Sequence, residues 1–217
     1  MNVLIAGSTG MIGNLVLNQC LNDIQINKVI SLVRRPTRHQ HEKLIEVVIQ
    51  NFEDYTDHVN LFKNIQCAYF CVGAYTGQFP DVMFKKITVN FAVAFAVSLK
   101  RESPNATFCL LSGMGADRTG KSNTSFAMYK GMAENQISAL NMKFYTFRPA
   151  YIYPVTARKE PNIGYKISRF IYPLLKIFGK SLSIKSTELA NAIFNVGISG
   201  ADKEILENKD IFKYIKF

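Results

Sequence analysis

The 217-residue sequence predicts an α/β fold, a doubly wound parallel sheet with helices on both faces. Three observations carry this. Short apolar runs alternate with amphipathic segments along the chain, the pattern of strands joined by crossover helices. The first apolar run, Asn2 to Ala6, passes directly into Gly7-Ser8-Thr9-Gly10-Met11-Ile12-Gly13, a glycine-rich turn that opens a helix. The length suits one domain, because two independent cores would each be small for this fold, and neither an internal repeat nor a low-complexity linker divides 1–217.

The elements follow in order. Asn2 to Ala6 is a short strand, and Met11 to Leu21 a helix with Ile12, Leu15, Val16 and Leu17 inward. Lys28 to Val33 is the second strand, and Glu46 to Ile49 a weaker third, reached through a basic loop that carries His39 and His41. Asp54 to Phe62 reads as a short helix, and Ile65 to Val72 as a fully buried strand. Pro80 suits the first turn of a long helix that runs to about Arg101, since its fixed φ and missing N–H cost nothing there. Thr107 to Ser112 is the next strand. Phe126 to Leu140 is a helix capped by Thr124 or Ser125, and Lys143 to Arg148 a strand that stops at Pro149. A loop, a basic amphipathic segment, a helix from Thr187 to about Val196, and a short strand and helix complete the chain.

Composition narrows the function classes. The start has no basic region ahead of a long apolar run, so it does not read as a signal peptide. The longest apolar stretches, such as Phe91 to Leu99, are about half of the ~20 residues that span a bilayer. Cys20, Cys67, Cys71 and Cys109 lie in apolar surroundings without neighbouring histidines, which predicts buried reduced thiols of a cytoplasmic protein and no metal site. The net charge of +10 suits an anionic cofactor and substrate, and equally an anionic membrane. No zinc finger, helix-turn-helix or aromatic-basic RNA motif is present, so nucleic acid is not an expected partner.

The glycine turn is the strongest chemical signal. Gly7 permits the tight turn, Gly10 a close approach of backbone to a pyrophosphate, and Gly13 close packing of helix on strand. The helix amino terminus then directs unpaired N–H groups and partial positive charge at the phosphates. At the end of the second strand, an NAD site usually has an acid for the ribose 2′-hydroxyl. Here the chain reads Leu32-Val33-Arg34-Arg35-Pro36. Two guanidiniums can hold a 2′-phosphate by charge-assisted bonds, which predicts NADP(H) in preference to NAD(H); the alternative is a pair of solvated surface arginines.

These two motifs, with Ser112-Gly113-Met114-Gly115-Ala116-Asp117, Lys130-Gly131-Met132-Ala133-Glu134 and Phe147-Arg148-Pro149, occur in this order in the atypical short-chain dehydrogenase/reductases (atypical SDR). The chain most resembles the NAD(P)H-binding group that contains the Tat-interacting oxidoreductase-like and NmrA-like proteins. The resemblance covers nearly all of the sequence and is least specific after about residue 155. It implies a Rossmann-like sheet with NADP(H) lying across the carboxyl ends of the strands. It also implies adenine contacts near Asn51 and Phe52, where relatives usually have Asp in place of Asn51. Further cofactor contacts would fall at Val72, Gly73 and Ala74, at Asn90, and at Pro149, Ala150, Tyr151 and Ile152, in addition to Ser8, Thr9, Met11 and Ile12 in the glycine turn.

The mainstream family reduces carbonyls with a Tyr proton donor, a Lys four residues later and a Ser at the end of the preceding strand. Positions i and i+4 share a helical face, so the ammonium can lower the Tyr pKa and bind the nicotinamide ribose. Lys130 matches that lysine, but Phe126 stands where the tyrosine should be, and phenylalanine has no proton to give. Tyr129 is about 100° around the helix from Lys130. Ser112 matches the serine region, although the neighbouring place, often the catalytic one, is Gly113. The catalytic residues to test are therefore Ser112 and Lys130, with Lys130 as a ribose ligand and Tyr75, Tyr151 and Tyr153 as alternative proton sources near the cleft. His39, His41 and His58 fall far from the expected nicotinamide.

Arg158 to Lys185 holds seven Lys/Arg and a single acid, Glu160. Within it Ile167, Phe170, Ile171, Leu174, Leu175 and Phe178 recur at helical spacing, interrupted by Pro173. Three readings stand: a helix over the substrate cleft, favoured for 165–178, a membrane-surface helix, or a surface for a partner protein. Two functions fit the sequence as a whole. One is an NADPH-dependent reductase of a small carbonyl, quinone or flavin-like acceptor. The other is a non-catalytic redox sensor, regulator or assembly factor that binds the same cofactor.

Overall fold

A computed structural model describes residues 1–75, 77–155 and 182–216. Seven parallel strands form one sheet in the order β3-β2-β1-β4-β5-β6-β9. They are β1 (Asn2–Ala6), β2 (Lys28–Val33), β3 (Leu44–Val48), β4 (Cys67–Phe70), β5 (Thr107–Leu111), β6 (Lys143–Arg148) and β9 (Ile205–Glu207). The chain starts in the middle of the sheet, winds outward to β3, then crosses back past β1 to β4. That reversal opens a crevice at the carboxyl ends of β1 and β4, where open α/β sheets bind their ligands.

Alternation along each strand sends side chains to two separate cores. Val3, Ile5, Val29, Tyr69, Cys109 and Phe147 face α1 (Met11–Asn22) and α5 (Ser186–Ser199). Leu4, Ala6, Leu32, Phe70, Phe108 and Leu110 face the other helical layer. That layer comprises a 3₁₀ segment (Thr56–Phe62), α2 (Asp81–Lys85), a π turn (Lys86–Asn90), α3 (Phe91–Glu102) and α4 (Ser125–Ser138). Phe95 on α3 anchors it. Its ring lies 5.3 Å from Phe62, 5.4 Å from Phe70, 5.7 Å from Phe108 and 6.1 Å from Tyr55. Edge-to-face packing of this kind adds about 0.5–1.5 kcal/mol per pair to simple burial. On the opposite face Gly197 of α5 leaves room for Tyr69, whose hydroxyl donates to the Phe194 carbonyl at 3.0 Å; a Cβ at 197 would lie 2.3 Å from that oxygen.

Several elements differ from the sequence reading. Asp81–Glu102 is one continuous 22-residue helical stretch, long and apolar enough to cross a bilayer by length and composition. The run Phe91 to Leu99 alone understates it, because Val82, Met83, Ile87 and Val89 extend the apolar character across the π turn. Ala92, Phe95, Ala96 and Leu99 are buried against the sheet. Pro80 is the cap ahead of this helix, and Thr124 precedes α4 without a side-chain cap bond. A separate parallel pair, β7 (Tyr151–Tyr153) with β8 (Ser183–Lys185), has no counterpart in the reading from sequence. α6 (Asn208–Ile211) and a 3₁₀ turn (Phe212–Tyr214) close the chain. The amphipathic segment 165–178 lies outside the described residues.

Candidate functional site

The glycine turn shows why Gly7 and Gly13 must be glycine. Gly7 has φ +88°, and a Cβ there would lie 2.5 Å from the Cys71 carbonyl carbon. At Gly13 a Cβ would lie 2.1 Å from the Gly7 carbonyl oxygen, so only glycine lets α1 start this close to β1. Gly10 caps α1 with no side-chain bond to the first turn. The free amides of that turn therefore face the crevice, available to an anion. Ser8 does not share this orientation: its hydroxyl is buried 2.7 Å from Ser31 Oγ, tying the turn to β2.

Two depressions flank this turn. The larger, about 630 Å³, is lined by Gly10, Met11 and Ile12, by Cys71 to Tyr75 after β4, by Leu111 to Met114 after β5, by Phe126 and Lys130 of α4, and by Pro149 to Ile152. The smaller, about 440 Å³, is lined by Thr9, Arg34, Arg35, Ile49 and Gln50. Both arginines are exposed, and neither has an ion-pair partner among the described residues. Val72, Gly73, Ala74, Pro149, Ala150, Tyr151 and Ile152 thus share a wall with the glycine turn. Asn51, Phe52 and Asn90 do not line either depression. Phe52 is a core residue with its ring 5.6 Å from Phe91. Asn51 accepts from the Glu53 amide, and Asn90 donates to the Glu53 carboxylate at 2.7 Å, beside Lys86 at 2.5 Å. None of the three histidines lines the crevice.

The α4 side of the large cleft is held by Gly131. A Cβ there would meet the Asp117 carbonyl oxygen at 1.8 Å, so the helix packs directly on the loop after β5. This contact places Lys130 against the carboxyl end of β5. Its side chain is 8% exposed, and Nζ donates to the Leu111 carbonyl at 3.1 Å. Desolvation lowers its pKa to about 8, against raising contributions from Glu134 and Cys71. Burial pushes the Cys71 thiol up to about 12, with Lys130 opposing. Phe126 stands one turn before Lys130, its ring over Gly113: a Cβ at 113 would lie 2.6 Å from Phe126 Cζ. The two departures from the family pattern are therefore coupled in space. Tyr129 faces away from the cleft and donates to Asp81 at 2.5 Å.

Ser112 is engaged elsewhere. Its hydroxyl donates to Glu134 Oε1 at 2.6 Å. Glu134 is wholly buried and also accepts from Thr146, Arg118 and Arg148, the last two at 2.9 Å and 2.5 Å on Oε2. Burial alone would raise this carboxyl, but bonds from Arg148, Ser112 and Arg118 hold it below the ordinary range. Arg118 continues to Glu204, and Arg148 to Glu207. This network was not legible in the sequence. Only Glu134, four residues after Lys130, hinted at it.

All four cysteines are free thiols; Cys20, Cys67 and Cys109 are buried, whereas Cys71 reaches the cleft wall. Among the described residues no cluster of His, Cys, Asp or Glu is placed to hold a metal ion.

The backbone is similar to those of several solved structures, all at low sequence identity. It is similar to L-threonine dehydrogenase from Clostridium difficile (TM-score 0.72, 15% identity, covering 95% of this chain and 75% of that one). It is also similar to the Bordetella bronchiseptica enzyme WbmH in complex with NAD+ (0.71, 16%, 95% and 74%). A third likeness is to Gre2 from Candida albicans in complex with NADPH (0.71, 12%, 95% and 77%). At these identities the likeness is one of fold: a Rossmann-like parallel α/β sheet. No family model and no curated protein matches the sequence.

Proposed function

We propose that the protein binds NADP(H) along the two depressions that flank the glycine turn and is an atypical SDR-type oxidoreductase acting on a quinone, flavin-like or activated carbonyl acceptor. The observation that carries this reading is the placement of two depressions on either side of the glycine turn. Arg34 and Arg35 line one together with Thr9, and Lys130 and Phe126 line the other together with Gly10, Met11 and Ile12. Its residues fit the cofactor: glycines where a Cβ would close the turn, an uncapped helix start for the pyrophosphate, and two unpaired guanidiniums where a 2′-phosphate would lie. Once bound, the cofactor supplies a hydride. The chain's own residues position it, with Gly7 to Gly13 gripping the phosphates, Lys130 beside the nicotinamide ribose, and Pro149 to Ile152 closing one side. Phe126 and Met114 present an apolar surface to the acceptor, which favours a flat, weakly hydrogen-bonding molecule over an ordinary ketone. Four free thiols, three of them buried, suit the reducing cytoplasm.

The second reading, a cofactor-binding sensor or assembly factor without catalysis, is favoured by the Phe126–Gly113 pair and by the diversion of Ser112 to Glu134. NADPH oxidation measured against a panel of quinones, flavins and activated carbonyls separates the two. The reductase reading expects turnover with at least one planar acceptor and poor rates with simple ketones. Tight NADPH binding with the whole panel inert would transfer the proposal to the sensor.

A further inference from the structure

We propose that Lys130 is the acid of this site, its Nζ delivering to the acceptor oxygen the proton that accompanies hydride transfer. The assignment rests on the reductase reading above. Among the described residues lining the large cleft, the side chains with a proton on N, O or S are Cys71, Tyr75, Ser112, Lys130 and Tyr151. The position expected to supply the acid carries Phe126, which has none. The Ser112 hydroxyl is committed as a hydrogen-bond donor to Glu134. Cys71 holds its proton to about pH 12, far too weakly acidic for neutral conditions. Lys130 uses one N–H on the Leu111 carbonyl at the end of β5 and has two more to offer.

Its surroundings tune it. Glu134 faces it from its own helix and Cys71 from the end of β4, both favouring the charged form, and desolvation overrides them. Glu134 is itself paired by Arg118 from the loop after β5 and by Arg148 from β6. An ammonium that is charged at neutral pH and releases its proton at about 8 is matched to general acid work. The step balances: hydride from the reduced nicotinamide forms the new C–H bond, the C=O π pair passes to oxygen, and that oxygen takes the proton from Nζ. The neutral amine is then reprotonated by water.

Two measurements test the assignment. The first needs no acceptor. Acetylation of the protein by acetic anhydride across pH, read by peptide mass spectrometry, should show Lys130 reacting with a midpoint near 8, well below the ordinary lysine value of about 10.4. A Lys130 midpoint at the ordinary value overturns the proposal. The second uses NADPH and a water-soluble naphthoquinone. Wild-type kcat should fall as pH rises past 8, Lys130→Ala should lose about 10²–10⁴-fold in kcat, and added methylammonium should restore at least about tenfold of it. Lys130→Arg keeps the charge but gives no proton, so it should lose a comparable factor without rescue. An active wild type with an unimpaired Lys130→Ala, or loss of rate in Tyr151→Phe instead, overturns the assignment alone. A wild type that binds NADPH but reduces no acceptor overturns the reductase reading, and the acid role with it.

Discussion

Replacing Glu134 with Ala should cost about 3 kcal/mol of folding stability. The carboxylate is completely buried and accepts from Ser112, Thr146, Arg118 and Arg148. Removing one side of a buried ion pair typically costs about 3–5 kcal/mol, because the partner charge stays desolvated. Here the guanidiniums are not stranded: Arg118 retains Glu204 and Arg148 retains Glu207, both partly exposed, which holds the loss to the lower end of that range. For a domain of this size each kcal/mol lowers Tm by about 2–4 °C, so a fall of about 6–12 °C is expected in a thermal melt. Glu134→Gln should cost nearly as much, since its amide would turn a donor toward two cations. The pH dependence has a definite sign. The folded-state pKa of Glu134 is depressed, so its contribution is full above the unfolded value of about 4.3 and is lost as pH falls through the folded value. The stability gap between wild type and Glu134→Ala should therefore narrow in acid. A loss under about 1 kcal/mol at neutral pH, or a gap that widens on acidification, would refute this account of the network.

Gly13→Ala should both destabilise the fold and abolish dinucleotide binding, since its methyl would sit 2.1 Å from a main-chain oxygen that cannot yield cheaply; a melt and a fluorescence titration read the two effects, with about 1–3 kcal/mol or more expected from overpacking. Phe95→Ala should cost about 3–5 kcal/mol in urea unfolding without shifting NADPH affinity, as the ring joins four others in the core remote from the cleft. Phe126→Tyr restores a Tyr/Lys pair on one helical face and should raise ketone reduction by about tenfold. The gain should stay below the full range of about 10²–10⁴ for a general acid, because the Ser112 hydroxyl is committed to Glu134.

The centre of the sheet was legible because β1, β2, β4 and β5 are largely buried and read as apolar runs between turn residues. The glycine turn was legible because Gly7 and Gly13 have steric reasons, each visible as a Cβ that would strike main chain. Features that depend on distant partners were not. The Glu134 network joins residues from a loop, two strands and a helix, and no local pattern links Arg118 to Glu204. The pairing of β7 with β8 joins short segments far apart in sequence, each too brief to show a period. Phe52 was assigned by resemblance to the adenine site, whereas its ring is buried near Phe91 and Tyr55; an aromatic followed by a polar turn does not reveal which way it faces. The same holds for Ser8 and Ser112. Their positions beside the crevice follow from the motifs, but their hydroxyl directions follow from partners at Ser31 and Glu134.

The central claim is that Arg34 and Arg35 make this crevice a site for NADP(H). Isothermal titration of the wild type and of the Arg34→Ala/Arg35→Ala variant with NADPH and NADH tests it most directly. Loss of two charge-assisted contacts should weaken NADPH binding by about 2–4 kcal/mol and leave NADH nearly unchanged. Equal affinity of the wild type for the two cofactors would contradict the claim.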